Sequence, residues 1–352
     1  MPKGEKPIAF SGNLAESHSE SHARTRTTYL RDTHTTFHAW AYKNPTSGSA
    51  ETVMKDYTVN YVGAQGSTIS NSSGWEYVNQ QPTTNDVEQS IKYWDFTASD
   101  YRFFGYAGSG VNPPTYASNI VSLSFAVSVA SNPQQDPVTL PLTESTPLYS
   151  KLWYKTGSAI ANDISPVQLE FLQPYVKVRF MFRQSEPKST KFKLENIKFR
   201  PTPPTGSGTQ KKIATAGTFT VTYPLSGTTK VEASEVTEET AWVADDGDPE
   251  NGFTKPYYEA AADEEDGTVI AGQKMWYVVL PAKNQGTYTL SLKVNGEDKN
   301  VVVPAEYMNW QPCYEYTYIF KITENGGVEI DAVQSAFTPW KVSSKDYPIY
   351  NW

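Results

Sequence analysis

Hydrophobic and polar side chains alternate along much of this chain. Over residues 121–129, Val121, Leu123, Phe125, Val127 and Val129 fall on one side, and Ser122, Ser124, Ala126 and Ser128 on the other. A period of two marks a strand with one buried face. The same pattern runs through residues 175–182, 288–294 and 314–322, where Tyr314, Tyr316, Tyr318, Phe320 and Ile322 share a face. Shorter strands are predicted over residues 35–43, 101–106, 167–171, 219–223, 275–280 and 328–332. In residues 192–199 the phase slips between Leu194 and Ile197, which predicts a β-bulge near Glu195 and Asn196. Asn295-Gly296 and Asn325-Gly326 sit between alternating runs, a strong hairpin signal.

No helical pattern long enough for a crossover separates these runs, so antiparallel pairing is expected. One polar face on most strands fits a sandwich better than a buried parallel sheet. The clearest break is Pro201-Thr-Pro-Pro-Thr-Gly-Ser-Gly-Thr209, where proline cannot donate to a ladder and the Gly/Ser stretch resists packing. The expected fold is all-β, with two antiparallel β-sandwich domains at residues 1–203 and 204–352. There is no fixed-period repeat, which excludes a propeller or solenoid.

Composition supports this picture. Charged residues are only 19% of the 352, while 23 tyrosines lead an aromatic fraction of 13%. Such a chain favours sheet over coiled coil. A net charge of −8 disfavours nucleic acid and anionic membranes as partners. A single cysteine, Cys313, excludes a disulfide framework, a Cys-based zinc site and a CxxC centre. No apolar run is long enough to span a bilayer as a helix. The polar start lacks an export signal, so the chain is either cytosolic or a mature form whose signal is missing.

Candidate chemistry is sparse. His18 and His22 stand four apart, a metal-compatible spacing on a helix, but in a Ser/Thr-rich stretch that reads as loop. His34 and His38 follow. Asp245, Asp246, Asp248, Glu250 and Asn251, and then Asp263, Glu264, Glu265 and Asp266, are oxygen-rich loops without the EF-hand spacing. Solvated surface is the simpler reading of both. Glu170, Glu195 and Glu315 interrupt strands and could serve a glycosidase only if two of them faced each other. Cys313 has no nearby histidine and reads as an inert buried thiol. Trp75, Trp94, Trp153, Trp242 and Trp310 could stack on sugars, although aromatic side chains also fill β-cores. No catalytic or cofactor motif is present, and no cofactor is expected.

The two ends are complementary. Residues 6–14 read as a short strand with Ile8, Phe10 and Leu14 in phase. A polar tether, residues 15–33, follows and carries Arg24, Arg26 and Arg31, all candidate sites for a trypsin-like protease. Removing the first strand would open a groove and an edge. The tail, residues 333–352, carries Phe337, Trp340, Val342, Tyr350 and Trp352. An apolar terminus of this kind wants a partner; the alternative is packing on its own domain.

Over nearly its whole length the sequence resembles the fimbrillins, the pilus subunits of Bacteroidetes. The resemblance rests on Ile8-Ala-Phe10, Phe37-His-Ala-Trp-Ala-Tyr42, and Tyr93-Trp94 followed by Tyr101-Arg-Phe-Phe-Gly-Tyr106. It continues through Val167-Gln-Leu-Glu-Phe171, Val176-Lys-Val-Arg-Phe180, Tyr288-Thr-Leu-Ser-Leu292, and Asn309-Trp-Gln-Pro with Tyr316-Thr-Tyr-Ile-Phe320. Gln173-Pro174 departs from it, since the family commonly shows His there. So does the lack of a lipoprotein signal with its Cys. The resemblance implies two transthyretin-like β-sandwich domains and export as a lipoprotein to an outer membrane-associated fimbrium. An Arg-specific protease would remove the strand containing Ile8, Phe10 and Leu14. The tail from Phe337 to Trp352 would then act as donor to the next subunit. Implied partners are other fimbrial subunits, that protease, and host or bacterial surface ligands. The alternative function is a carbohydrate- or host-ligand-binding adhesion module, with a glycosidase as a more distant one.

Overall fold

The computed structural model describes residues 6–14, 30–44, 50–63, 68–70, 74–80, 89–117, 119–129, 143–184, 192–202, 205, 214, 216–225, 232–233, 259–260, 269–272, 277–282 and 286–337. The chain is all-β, as its alternation predicts. It builds two lobes, and it visits each of them twice.

The first pass contains β1 (Phe10–Leu14), β2 (Thr36–Lys43), β3 (Glu51–Tyr61), β4 (Trp75–Glu76), β5 (Asp100–Ala107), β6 (Val111–Ala117), β7 (Ile120–Ser128), β8 (Leu148–Ser150), β9 (Trp153–Thr156) and β10 (Val167–Leu172). A six-residue helix, α1 (Gly157–Asn162), is capped by the Thr156 side chain. Strands β2, β3, β4, β1, β10, β8 and β5 neighbour one another in that order, and β5 pairs back onto β2. The seven therefore close into a ring, with β9 attached to β5. Inside it lies an aromatic core that includes Phe10, Phe37, Trp75, Phe103 and Phe171.

The second pass, β11 (Val176–Gln184) and β12 (Leu194–Pro201), leaves for the other lobe. The third returns: β13 (Ala216–Pro224) pairs with β7 along its whole length, and β14 (Glu232–Ala233) follows. These two and β6–β7 form a four-stranded sheet. It packs on the outside of the ring, where Tyr223 stacks on Phe104 at 4.2 Å. The last pass comprises β15 (Glu259–Ala260), β16 (Val269–Gly272), β17 (Tyr277–Val279), β18 (Tyr288–Val294), β19 (Glu297–Val303), β20 (Tyr314–Ile322) and β21 (Val328–Phe337). In the second lobe the sheet β15-β16-β11-β20-β21 faces the sheet β12-β18-β19 across one core.

Several expectations are met closely. β18 and β20 match the predicted ranges. The bulge in β12 lies between Glu195 and Lys198, with Asn196 at φ 52°. Asn295 and Gly296 take φ 52° and 86° in the β18–β19 hairpin, the left-handed pair that such a turn requires.

Two expectations are corrected. Pairing is not wholly antiparallel, because β1 runs parallel to β10 and β11 parallel to β20. Side-chain alternation reports which face is buried, not the direction of a partner more than a hundred residues away. The division at 203/204 also fails as a core boundary: β11 and β12 precede it yet belong to the second lobe, and β13 follows it yet belongs to the first. The Pro/Gly-rich stretch is a crossover between lobes. The first crossing, at Gln173, Pro174 and Tyr175, is buried and tied to the second lobe. There the Cys313 amide donates to the Tyr175 carbonyl at 2.8 Å. The Gln173 amide donates to Cys313 Sγ at 3.2 Å, and the thiol donates back to the Gln173 carbonyl at 3.0 Å.

Candidate strand-exchange site

The first strand is deeply held. Ile8 and Phe10 are both 0% exposed. The Phe10 ring meets Phe37, Tyr77 and Phe103 edge-on at 5.8, 5.8 and 5.9 Å. β1 is paired in parallel with β10, Phe10 opposite Val167 through to Leu14 opposite Phe171, and it meets β4 at Trp75. Before β1, the Ile8 amide donates to the Lys92 carbonyl at 2.8 Å, and the Trp94 amide to the Lys6 carbonyl at 2.9 Å. Tyr77 Oη donates to the Ile8 carbonyl at 3.1 Å. Residues 6–14 are thus a stave of the ring, touching three separate segments. Taking them away would open the facing edges of β4 and β10 and empty the centre of an aromatic core.

Two carboxylates brace the flanks of this stave. Glu76, next to Trp75, accepts from the amides of Ile69, Ser70 (3.3 Å) and Val78 (2.7 Å) and from Ser70 Oγ (2.6 Å). Burial alone would push its pKa up, but these bonds outweigh burial and hold the carboxyl below its ordinary value. Asp95, next to Trp94, accepts from Lys43 Nζ at 2.8 Å and from the Thr97 hydroxyl at 2.6 Å and amide at 3.0 Å. The Lys43 bond, followed by those from Thr97, lowers its pKa to about 2. A carboxyl depressed by folding contributes stability at neutral pH that is lost as pH falls through the folded value. The melting temperature should therefore fall progressively as pH drops from about 4.5 towards about 2. Replacing Glu76 with Gln should flatten the upper part of that decline; an unchanged profile would show that Glu76 is no brace.

The tether re-enters the described residues at a 3-10 turn, Leu30–Asp32. Leu30 is fully buried in the ring core. Arg31 is half exposed; its Nη1 donates to Tyr61 Oη at 3.2 Å and its guanidinium lies over that ring. Arg24 and Arg26 lie outside the described residues. So do Trp340, Val342, Tyr350 and Trp352, and the side chains of Leu14 and Phe337. The Phe337 backbone ends β21 opposite Tyr314, at the edge of the second lobe's larger sheet.

The other candidates that fall among the described residues serve the structure. Trp75, Trp94 and Trp310 are 3%, 5% and 1% exposed, so none of them presents a face to a sugar. Trp153 packs against the ring core, and Trp242 lies outside the described residues. Glu170, Glu195 and Glu315 sit in three different sheets, bonded to Lys151, Lys193 and Lys177 at 2.5, 2.6 and 3.0 Å. His34 is buried, with Nε2 2.8 Å from the Thr146 carbonyl. His38 stacks on Tyr106 and lies 3.3 Å from Asp56. His18, His22 and both acidic loops lie outside the described residues; among those described, no three His, Cys, Asp or Glu gather as for a metal. Burial pushes the Cys313 thiol up to about 12. No helix among the described residues is long and apolar enough to cross a membrane.

Ile8 and Phe10, singled out in the sequence, are buried in the ring core. Sequence reasoning missed Leu30, Trp75 as the cross-strand partner of Phe10, and the two bracing carboxylates. The available signal for Leu30 is its isolation, an aliphatic residue beside Tyr29 at the end of a polar stretch.

No family model and no curated protein matches the chain. Solved structures do. A fimbrial protein from Bacteroides vulgatus is 11% identical, with 95% of this chain and 100% of that one covered at a TM-score of 0.44. A candidate cell adhesion protein from Bacteroides ovatus is 12% identical, with 96% and 100% covered at 0.41. The fimbrial anchor protein Mfa2 from Porphyromonas gingivalis is 8% identical, with 96% and 100% covered at 0.34. What the chain is similar to, at this distance, is a group of Bacteroidetes cell adhesion and fimbrial proteins.

Proposed function

We propose that this protein is a structural, non-enzymatic subunit of a cell-surface fimbria that polymerises by strand exchange and serves adhesion. One observation carries the reading. A stave of the ring core, residues 6–14, is joined to the rest of the first lobe through residues 15–29, which hold Arg24 and Arg26. A protease cutting there frees the strand while leaving Leu30 in the core. Arg31 is the poorer site, because its turn is anchored by buried Leu30 and by Tyr61. The vacated slot offers backbone partners on two strands and deep apolar pockets, the needs of an added strand. The donor is the tail of a neighbour, from Phe337 to Trp352. A head-to-tail joint of this kind does not close and yields a filament. With this reading go a transthyretin-like description of each lobe, export through a lipoprotein precursor and an outer-membrane location.

Brief trypsin treatment should cut first after Arg24 or Arg26, and the clipped protein should form larger species with time and concentration. Sizing by light scattering with mass spectrometry of the cut ends checks this. Clipped protein that stays monomeric at high concentration would refute the reading.

A further inference from the structure

We propose that Leu30 and Gly12 form a size gate that fixes the register in which β1 seats in its slot. This rests on the strand-exchange reading, in which that strand is removable, and adds what holds it in a single register until it is cut.

Ile8, Phe10 and Gly12 recur at a spacing of two and share the inner face of residues 6–14. Ile8 and Phe10 bring large side chains into the ring. Gly12, opposite Leu169, brings none. The space it leaves is taken by Leu30. A methyl group on the Gly12 Cα would stand 3.0 Å from Leu30 Cδ2, 3.4 Å from Leu30 Cβ and 3.4 Å from Trp75 Cζ2. No left-handed backbone angle is recorded at Gly12. The constraint is therefore packing rather than conformation. Leu30 and Trp75 are 0% and 3% exposed, so neither can yield without disturbing the core.

A one-residue slip would turn every inward side chain outward and is excluded by burial. A two-residue slip keeps the inward face inward, and burial alone does not exclude it. The gate does: that slip would carry the large Phe10-type side chain under Leu30. Residues 6–14 therefore seat with Gly12, and no larger inner-face residue, under Leu30. Leu30 lies beyond Arg24 and Arg26, so cutting at either leaves Leu30 with the body of the protein while Gly12 departs with the strand.

The test uses trypsin-clipped full chain and a fluorescent synthetic peptide of residues 6–14. Replacing Gly12 with Val in the peptide should weaken binding roughly ten- to hundredfold, the overpacking cost of extra carbons in a tight core. Leu30→Ala in the protein should recover most of that loss. Equal binding of both peptides would overturn the gate and leave strand exchange standing. A loss that Leu30→Ala does not recover would remove Leu30 from the gate. If neither peptide binds, the strand-exchange reading fails and the gate falls with it. In the uncut chain, Gly12→Val should lower the melting temperature, and adding Leu30→Val should reverse part of the fall. An unchanged melting temperature for Gly12→Val would also overturn the contact.

Discussion

Replacing Phe10 with Ala should cost the uncut chain about 3–5 kcal/mol of folding stability, the range for removing a large aromatic side chain from a packed core. Phe10 is 0% exposed and contacts rings from three other parts of the chain, Phe37, Tyr77 and Phe103. The cavity left would lie at the centre of the ring, walled by aromatic groups that β-strands hold in place, so collapse can recover little. Urea unfolding followed by tryptophan fluorescence measures the change. A loss under about 1 kcal/mol would mean that the ring core does not depend on its first strand. Phe10→Leu, which refills part of the volume, should cost less and keeps the comparison readable if the Ala variant fails to fold.

Replacing Arg102 with Met should be of similar size, about 3–5 kcal/mol, because it takes the cation from a buried pair. The Arg102 and Asp100 side chains are each 1% exposed, with Arg102 Nε 3.9 Å from Asp100 Oδ2. Arg102 Nη1 donates to the Pro224 carbonyl at 2.7 Å, and the guanidinium lies over the Tyr154 ring. One side chain thus joins β5 of the ring to the end of β13, the strand that returns from the second lobe. A double variant, Arg102→Met with Asp100→Asn, should be less destabilised than the sum of its parts, since removing both charges removes the uncompensated one. Strict additivity in the unfolding free energies would show that the two groups do not act as a pair.

Much of the fold was legible because alternation is written locally. Residues 121–129, 288–294 and 314–322 carry unbroken period-two patterns and become β7, β18 and β20. What escaped was written non-locally or against propensity. β3 contains Asp56 at φ 53°, and irregular register against β2 hides its phase. β6 holds Pro113 and Pro114, tolerated because it is the outer strand of its sheet and bulges between Asn112 and Thr115. β5 was expected as a strand over residues 101–106, but not its burial on both faces, between the ring core and the outer sheet, where its eight residues show no alternation of burial. The parallel partners of β1 and β11 lie far along the chain, and no local signal names them. The first strand was found because Ile8 and Phe10 are apolar residues in a polar neighbourhood. Its closing role in a ring was not, because ring closure depends on β2 pairing with β5.

The repeated passage between lobes has a mechanical consequence. In a filament of such subunits, tension would enter at the β1 slot of one lobe and leave from beyond β21 in the other. Between those points the described strands require three crossings, after β10, after β12 and after β14. Load is then divided among three tethers instead of stretching one hinge. β11 and β20 lie side by side over eight residue pairs. Pulled along their length, they would resist in shear, with their hydrogen bonds strained together rather than one after another. A shaft made this way would be stiff within each subunit and would yield first at its joints.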